Sequence, residues 1–60
     1  MNKLKQRRIE CGLKQAYVAK AAGITTSCYQ LYEYEERLPR VDVAIKIAAV
    51  LDSTVEELFG

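Results

Sequence analysis

Histidine is absent from this chain, and cysteine occurs only twice, at Cys11 and Cys28. A structural zinc site takes four Cys or His ligands at short spacings, so two distant cysteines cannot build one within a single chain. The start, MNKLKQRRIE, is charged and leads into no apolar stretch. A signal peptide is therefore not expected, and the cytoplasm is the default location. In that reducing setting the two thiols are expected to stay free. No apolar run is long enough to span a membrane. The sequence offers no nucleophile with a base, no glycine-rich phosphate loop and no metal cluster, so neither an enzyme nor a bound cofactor is expected. Repeats, low-complexity tracts and internal linkers are missing. So is the apolar–polar alternation of strands.

What remains is 60 residues, half of them hydrophobic, with a net charge of +1. That is too apolar for disorder and enough for one small domain, residues 1–60. A chain this short buries only about 60% of its unfolded surface, so its core must be compact. The net charge does not by itself announce a nucleic-acid partner. Its distribution says more. Lys3, Lys5, Arg7, Arg8, Lys14 and Lys20 lie in the first third, Glu33, Glu35 and Glu36 in the middle, and Glu56 and Glu57 near the end.

Aliphatic residues recur at helical spacing, and the punctuation divides the chain into five helices. The first covers about Asn2 to Cys11 and stops at Gly12, a common residue just past a helix end. The second covers about Gln15 to Ala22 and stops at Gly23. The third follows Thr25, a good N-cap, and runs to about Tyr34. A loop closed by Pro39 leads to the fourth, about Val41 to Leu51, which Asp52 can end in a left-handed conformation. Thr54 to Glu57 has the capping-box form T-x-x-E and opens the fifth, Val55 to Phe59. The expected fold is all-α, a compact five-helix bundle. Its expected core is Leu4, Leu13, Val18, Ala19, Ala22, Ile24, Tyr29, Tyr32, Val41, Ala44, Ile45, Ile47, Ala48, Leu51, Val55, Leu58 and Phe59.

The segment from about Gln15 to Tyr34 has the form of a helix-turn-helix, whose second helix can lie in a DNA major groove. Ala19 is small where the two helices would cross. Gly23 can take the positive φ of the sharp turn. The third helix then opens with short polar side chains.

These pieces resemble a known family. RRIECGLKQAYVAKAAGI, then TTSCYQLYE, then Pro39 followed by VDVAIKIAAVLDSTVEELF are similar to the Cro/cI-type (XRE-family) helix-turn-helix domain of lambdoid phage repressors. The resemblance covers essentially the whole chain. It implies a lambda-repressor-like DNA-binding domain. It implies that Gln15 bonds a DNA phosphate at the start of the second helix, where anions are favoured. It places Thr25 as the cap of the recognition helix, also near phosphate, and Thr26, Ser27 and Leu31 as base readers. Gln30 lies beside Leu31, and glutamine can pair bidentately with adenine. Lys14, Arg37 and Arg40 fall where the family contacts phosphates. Arg8 and Glu33 match a structural ion pair that ties the first helix to the third.

Duller readings stand beside these. Thr26, Ser27 and Gln30 are also ordinary surface polars. Leu31 either meets a thymine methyl or belongs to a protein interface. Cys28, expected on the DNA side, is more simply a small side chain near the backbone than a redox sensor. Tyr17 is an exposed candidate for a partner surface. Three departures from the family pattern matter. Lys14 replaces the usual cap of the second helix and adds a cation near the positive helix end. Tyr29 replaces a smaller core residue and brings a hydroxyl that needs a partner. The usual Asn-Gly turn after the third helix reads Tyr34-Glu35-Glu36. Two carboxylates there imply weak, salt-dependent binding by one domain, or a loop that points the acids away.

The expectation is a sequence-specific double-stranded DNA-binding regulator, a repressor rather than an activator, acting as a homodimer on a palindrome with half-sites about 34 Å apart. Val55, Leu58 and Phe59 are candidates for the dimer surface, or they complete the monomer core. The alternative is a protein-interaction module or antitoxin-like partner on the same fold, favoured by Glu35, Glu36, Leu31 and the near-neutral charge.

Overall fold

The computed structural model describes residues 2–60. It contains α1 (Leu4–Glu10), α2 (Gln15–Ala21), α3 (Thr26–Glu33), α4 (Val41–Val50) and α5 (Val55–Phe59), with no strand among the described residues. Each helix sits where the punctuation places it, with ends within about two residues. The start of α1 differs most. Asn2 lies outside the helix, and its Oδ1 accepts from the Leu4 N–H at 3.2 Å. Its Nδ2 donates to the Tyr32 carbonyl at 2.9 Å, so the same side chain ties the start of α1 to the end of α3.

The first four helices end in one way. The residue after the C-cap takes positive φ, at Gly12 (70°), Gly23 (75°), Glu35 (61°) and Asp52 (51°). The next N–H then reaches back five residues, in Leu13 to Arg8, Ile24 to Ala19, Glu36 to Leu31 and Ser53 to Ala48, at 2.9–3.2 Å. This is the Schellman arrangement, which satisfies the last helical carbonyls. At Glu35 it forms without glycine, at a backbone cost of about 1–2 kcal/mol. The tight turn after α3 is therefore kept although its usual residue is missing.

No helix of five to ten residues is stable alone in water, so the core they share decides the fold. It combines Leu4 of α1, Val18 and Ala19 of α2, Tyr29 and Tyr32 of α3, Ile47, Ala48 and Leu51 of α4 and its cap, and Leu58 of α5. Burying each large aliphatic side chain fully contributes about 1.5–3 kcal/mol. α2 packs most extensively against α3 and next against α4. Ala19, 1% exposed, gives the close approach that the α2–α3 crossing needs. Leu13, Ile24, Val55 and Phe59 are half-buried at the margin of this core.

Two expected core residues lie outside it. Val41 is 75% exposed and Ile45 56% exposed. The inward face of α4 is Ala44, Ile47, Ala48 and Leu51, and Val41 and Ile45 form the neighbouring stripe, which stays largely exposed. Two cross-chain links complete the frame. Arg7 Nε donates to the Leu51 carbonyl at 2.8 Å, and its Nη2 donates to the Asp52 carbonyl at 3.0 Å. An arginine of α1 thus closes the C-terminal end of α4, where cations are favoured. The Lys3 N–H donates to the Leu58 carbonyl at 3.0 Å and docks α1 on α5.

Candidate nucleic-acid interface

The two helices of the motif begin differently. Thr25 precedes α3 in an extended conformation, and its hydroxyl oxygen accepts from the Cys28 N–H at 3.1 Å. Lys14 precedes α2 in the same conformation but makes no capping bond with its side chain. The first turn of α2 thus lacks a side-chain cap and has no acidic residue to answer the positive end of the helix.

Beneath this surface Arg8 and Glu33 form the ion pair that the family resemblance implies. Arg8 Nε donates to Glu33 Oε2 at 2.6 Å, and Nη2 to Oε1 at 3.3 Å. The Glu33 side chain is 0% exposed and that of Arg8 12%. Arg8 Nη1 also donates to the Leu13 carbonyl at 2.9 Å, which ties down the loop before α2. Burial alone pushes the Glu33 carboxyl up. Hydrogen bonding from Arg8 and Gln15 outweighs it, so the group lies below the usual carboxylate range. The guanidinium of Arg8 is raised in return, chiefly by its bond to Glu33 and against the cost of burial. The Tyr29 hydroxyl ends next to this pair. It is buried without a hydrogen bond of good geometry. Burial first, then the neighbouring Glu33 carboxylate, hold the phenol far above its ordinary value.

The pair extends outward. Gln15 Nε2 donates to Glu33 Oε1 at 3.0 Å, and Gln30 Nε2 donates to Gln15 Oε1 at 3.1 Å. Gln15 and Gln30 are therefore brought together at the junction of α2 and α3. Thr26 and Gln30 lie one helical turn apart on α3, as do Ser27 and Leu31. Ser27 is exposed, and Thr26, Gln30 and Leu31 are half-buried. Lys14, Arg37 and Arg40 are exposed. Arg40 lies 3.9 Å from Asp42, a surface pair of little energetic weight.

The family model described as Helix-turn-helix matches residues 4–58. This chain belongs to the helix-turn-helix family. It is also similar to the cryptic phage CTXphi transcriptional repressor RstR of Vibrio cholerae serotype O1, with 34% identity over 58 residues. That match covers 97% of this chain and 52% of the relative, so the chain spans about half the length of the curated relative it matches.

Within this helix-turn-helix domain both acidic residues of the turn, Glu35 and Glu36, are exposed. Glu35 Oε1 accepts from the Asn2 backbone N–H at 3.0 Å, which draws it toward the start of α1. Cys28 does not face outward as expected. It packs against the core, and its Sγ donates to the Tyr32 hydroxyl at 3.1 Å. This contact, ahead of burial, raises the Tyr32 phenol. Tyr17 is 59% exposed on α2. Among the described residues no group of three or more Cys, Asp or Glu could hold a metal ion, and no helix is long and apolar enough to cross a membrane. Sequence reasoning missed Asn2 and Arg7, and it missed the bond between Gln15 and Gln30. Asn2 carried a signal, being a favoured capping residue just before a helix. The others depend on tertiary docking and carried none.

Proposed function

We propose that this chain is a sequence-specific double-stranded DNA-binding transcriptional regulator, a cytoplasmic repressor that reads the major groove with α3 as a homodimer. The observation that carries this reading is the way the first turn of α3 is built. It offers Thr26 and Ser27 at its surface, and the buried Arg8–Glu33 pair fixes its orientation. Side chains near the N-terminal end of a recognition helix contact base edges, and rigid presentation raises specificity. Leu31 supplies an apolar contact for a thymine methyl, and Gln30 a polar one for adenine. Lys14, Gln15 and Thr25 take phosphate at the open start of α2 and the capped start of α3. Arg37 and Arg40 add phosphate contacts from the connection to α4. RstR is a repressor by name, and this supports the sign of regulation.

One recognition helix reads only a few base pairs, so a second copy is needed for useful specificity. Leu58, 1% exposed, belongs to the monomer core and is not available for that contact. Leu38 (77% exposed), Val41 and Ile45 are available. Leu38 and Val41 line a shallow apolar groove with Pro39, Val55 and Phe59. The same exposed patch favours the rival reading, a protein-interaction module.

An NMR titration of the labelled protein with mixed-sequence duplex DNA at low salt tests the reading. Shifts concentrated at Lys14, Gln15, Thr25–Ser27 and Leu31 are expected. Shifts confined to Tyr17, or none at all, would overturn it in favour of the rival.

A further inference from the structure

We infer that Tyr29 is a positioning residue, a reserve donor that takes over the buried Glu33 carboxylate when Gln15 turns its amide outward to a DNA phosphate. The inference rests on the proposal that the start of α2 meets phosphate. Tyr29 is 0% exposed, and its hydroxyl is the one buried side-chain N or O atom without a hydrogen bond among the described residues. Burying a hydroxyl without a partner is costly, and phenylalanine would fill almost the same space without that cost. The hydroxyl lies beside Glu33. The two residues are four apart on α3, and helical side chains lean toward the N-terminal end, which carries the Glu33 side chain back over Tyr29. The carboxylate already acts on the phenol, which burial first and then Glu33 hold far above its ordinary value.

In the free protein three donors serve Glu33. Arg8 Nε donates to Oε2 at 2.6 Å, and Arg8 Nη2 and Gln15 Nε2 donate to Oε1 at 3.3 Å and 3.0 Å. Gln15 is half-buried whereas Tyr29 is fully buried, so Gln15 can reach solvent and Tyr29 cannot. Gln15 also opens α2, which has no side-chain cap and no acid in its first turn. A phosphate there competes with Glu33 for the same amide, because both are anionic acceptors. Once that amide turns outward, Oε1 keeps only the longer bond, from Arg8 Nη2 at 3.3 Å. The Glu33 side chain is 0% exposed and cannot recruit bulk water instead. A phenol donates as well as accepts, so Tyr29 can fill the vacancy. A small tilt of the carboxylate, no longer drawn to Gln15, completes the exchange: one donor leaves and one arrives. The Arg8–Glu33 pair then keeps α3 in place while Gln15 is engaged elsewhere.

A double-variant cycle in the free protein tests the exchange without DNA. In the wild-type background Tyr29→Phe is expected to hold or slightly raise the melting temperature. Gln15→Met removes the outer donor and keeps its bulk, so the phenol should then serve Glu33. In that background Tyr29→Phe should melt at least about 6 °C lower than Gln15→Met alone, the scale of one hydrogen bond to a charged group in a small domain. An equal effect of Tyr29→Phe in both backgrounds would overturn the inference, since a tyrosine that only fills space, or one served by a buried water, behaves alike in both. Affinity should behave the opposite way. On a duplex selected with wild type, Tyr29→Phe is expected to bind about tenfold more weakly, but to change affinity by less than about twofold in the Gln15→Met background. Unaltered affinity of Tyr29→Phe, or equal weakening in both backgrounds, would overturn the exchange on DNA. A wild-type protein that binds no duplex would remove the phosphate reading of Gln15, and the thermal cycle would then decide the Tyr29–Glu33 exchange by itself. A second measurement does not depend on the double variant folding. With tyrosine labelled at Cζ, the NMR resonance of Tyr29 in Gln15→Met and in DNA-bound wild type should move the same way from its position in free wild type. A resonance unmoved in both would overturn the inference.

Discussion

Replacing Glu33 by alanine separates this account from one in which Arg8 and Glu33 are a decorative pair. The carboxylate is fully buried and the guanidinium nearly so. Removing the carboxylate leaves Arg8 with the Leu13 carbonyl as its remaining bond and strips Gln15 of its acceptor. Breaking a buried pair in this one-sided way costs about 3–5 kcal/mol, because a charge stays behind uncompensated. Some water reaches Arg8, so the lower end, about 3 kcal/mol, applies. The whole stability of a domain this size is only about 3–9 kcal/mol. At about 4–8 °C per kcal/mol for a small domain, Glu33→Ala should melt at least about 12 °C lower, followed by far-UV circular dichroism. The double variant Arg8→Met/Glu33→Met should recover more than half of that loss, since no charge is then stranded. A melting temperature for Glu33→Ala within about 2 °C of wild type would refute the reasoning. The pH dependence has a defined sign. The folded-state pKa of Glu33 lies below its unfolded value, so its contribution is complete above the ordinary glutamate range of about 4.3. It is lost as pH falls through the folded value, so the stability gap between wild type and Glu33→Gln should narrow below about pH 4.

Tyr29→Phe removes a buried hydroxyl that lacks a hydrogen bond of good geometry, so its melting temperature should hold or rise; a fall would show that the contact with Glu33 is a true bond. Arg7→Ala should cost about 1–2 kcal/mol, because charge-assisted bonds close the end of α4 and Arg7 is partly solvated; denaturant unfolding with no change would contradict this. Ile45→Glu should leave the monomer's melting unchanged and weaken cooperative binding to a two-half-site duplex; undiminished cooperativity would place the dimer surface elsewhere. Glu36→Lys should tighten binding to every duplex by several-fold at low salt, with the gain fading as salt rises; an unchanged affinity would mean that this turn does not lie over phosphate.

Helix positions were legible because they are written locally. Gly12, Gly23, Thr25, Pro39 and Thr54 each act within a few residues, through backbone conformation or a cap. Even so, the capping box at α5 is only half made. Thr54 accepts from the Glu57 N–H at 3.1 Å, whereas the Glu57 carboxylate takes the Thr54 hydroxyl at 3.2 Å rather than the backbone. The turn at Glu35 was not legible, because its missing glycine is overridden by the pull of the flanking helices and of Asn2. Val41 and Ile45 are expected in the core but lie on the exposed stripe beside it. Which stripe turns inward depends on how α2 and α5 dock, and no local signal carries that. Cys28 turns toward Tyr32 for the same reason, since one step around α3 separates it from the exposed Ser27. The Arg8–Glu33 pair joins residues 25 apart and was reached through family resemblance, not through spacing. The extension through Gln15 and Gln30 was visible only once α2 and α3 were docked.

The central claim, that α3 reads DNA sequence as one of two copies, is met most directly by selecting random-sequence duplexes with the purified protein at low and near-physiological salt. The account predicts a recovered palindrome whose half-sites lie about 34 Å apart or a multiple of it, retained at the higher salt. No enriched sequence, with binding that vanishes as salt rises, would contradict it and leave the helix-turn-helix as a scaffold for a protein partner.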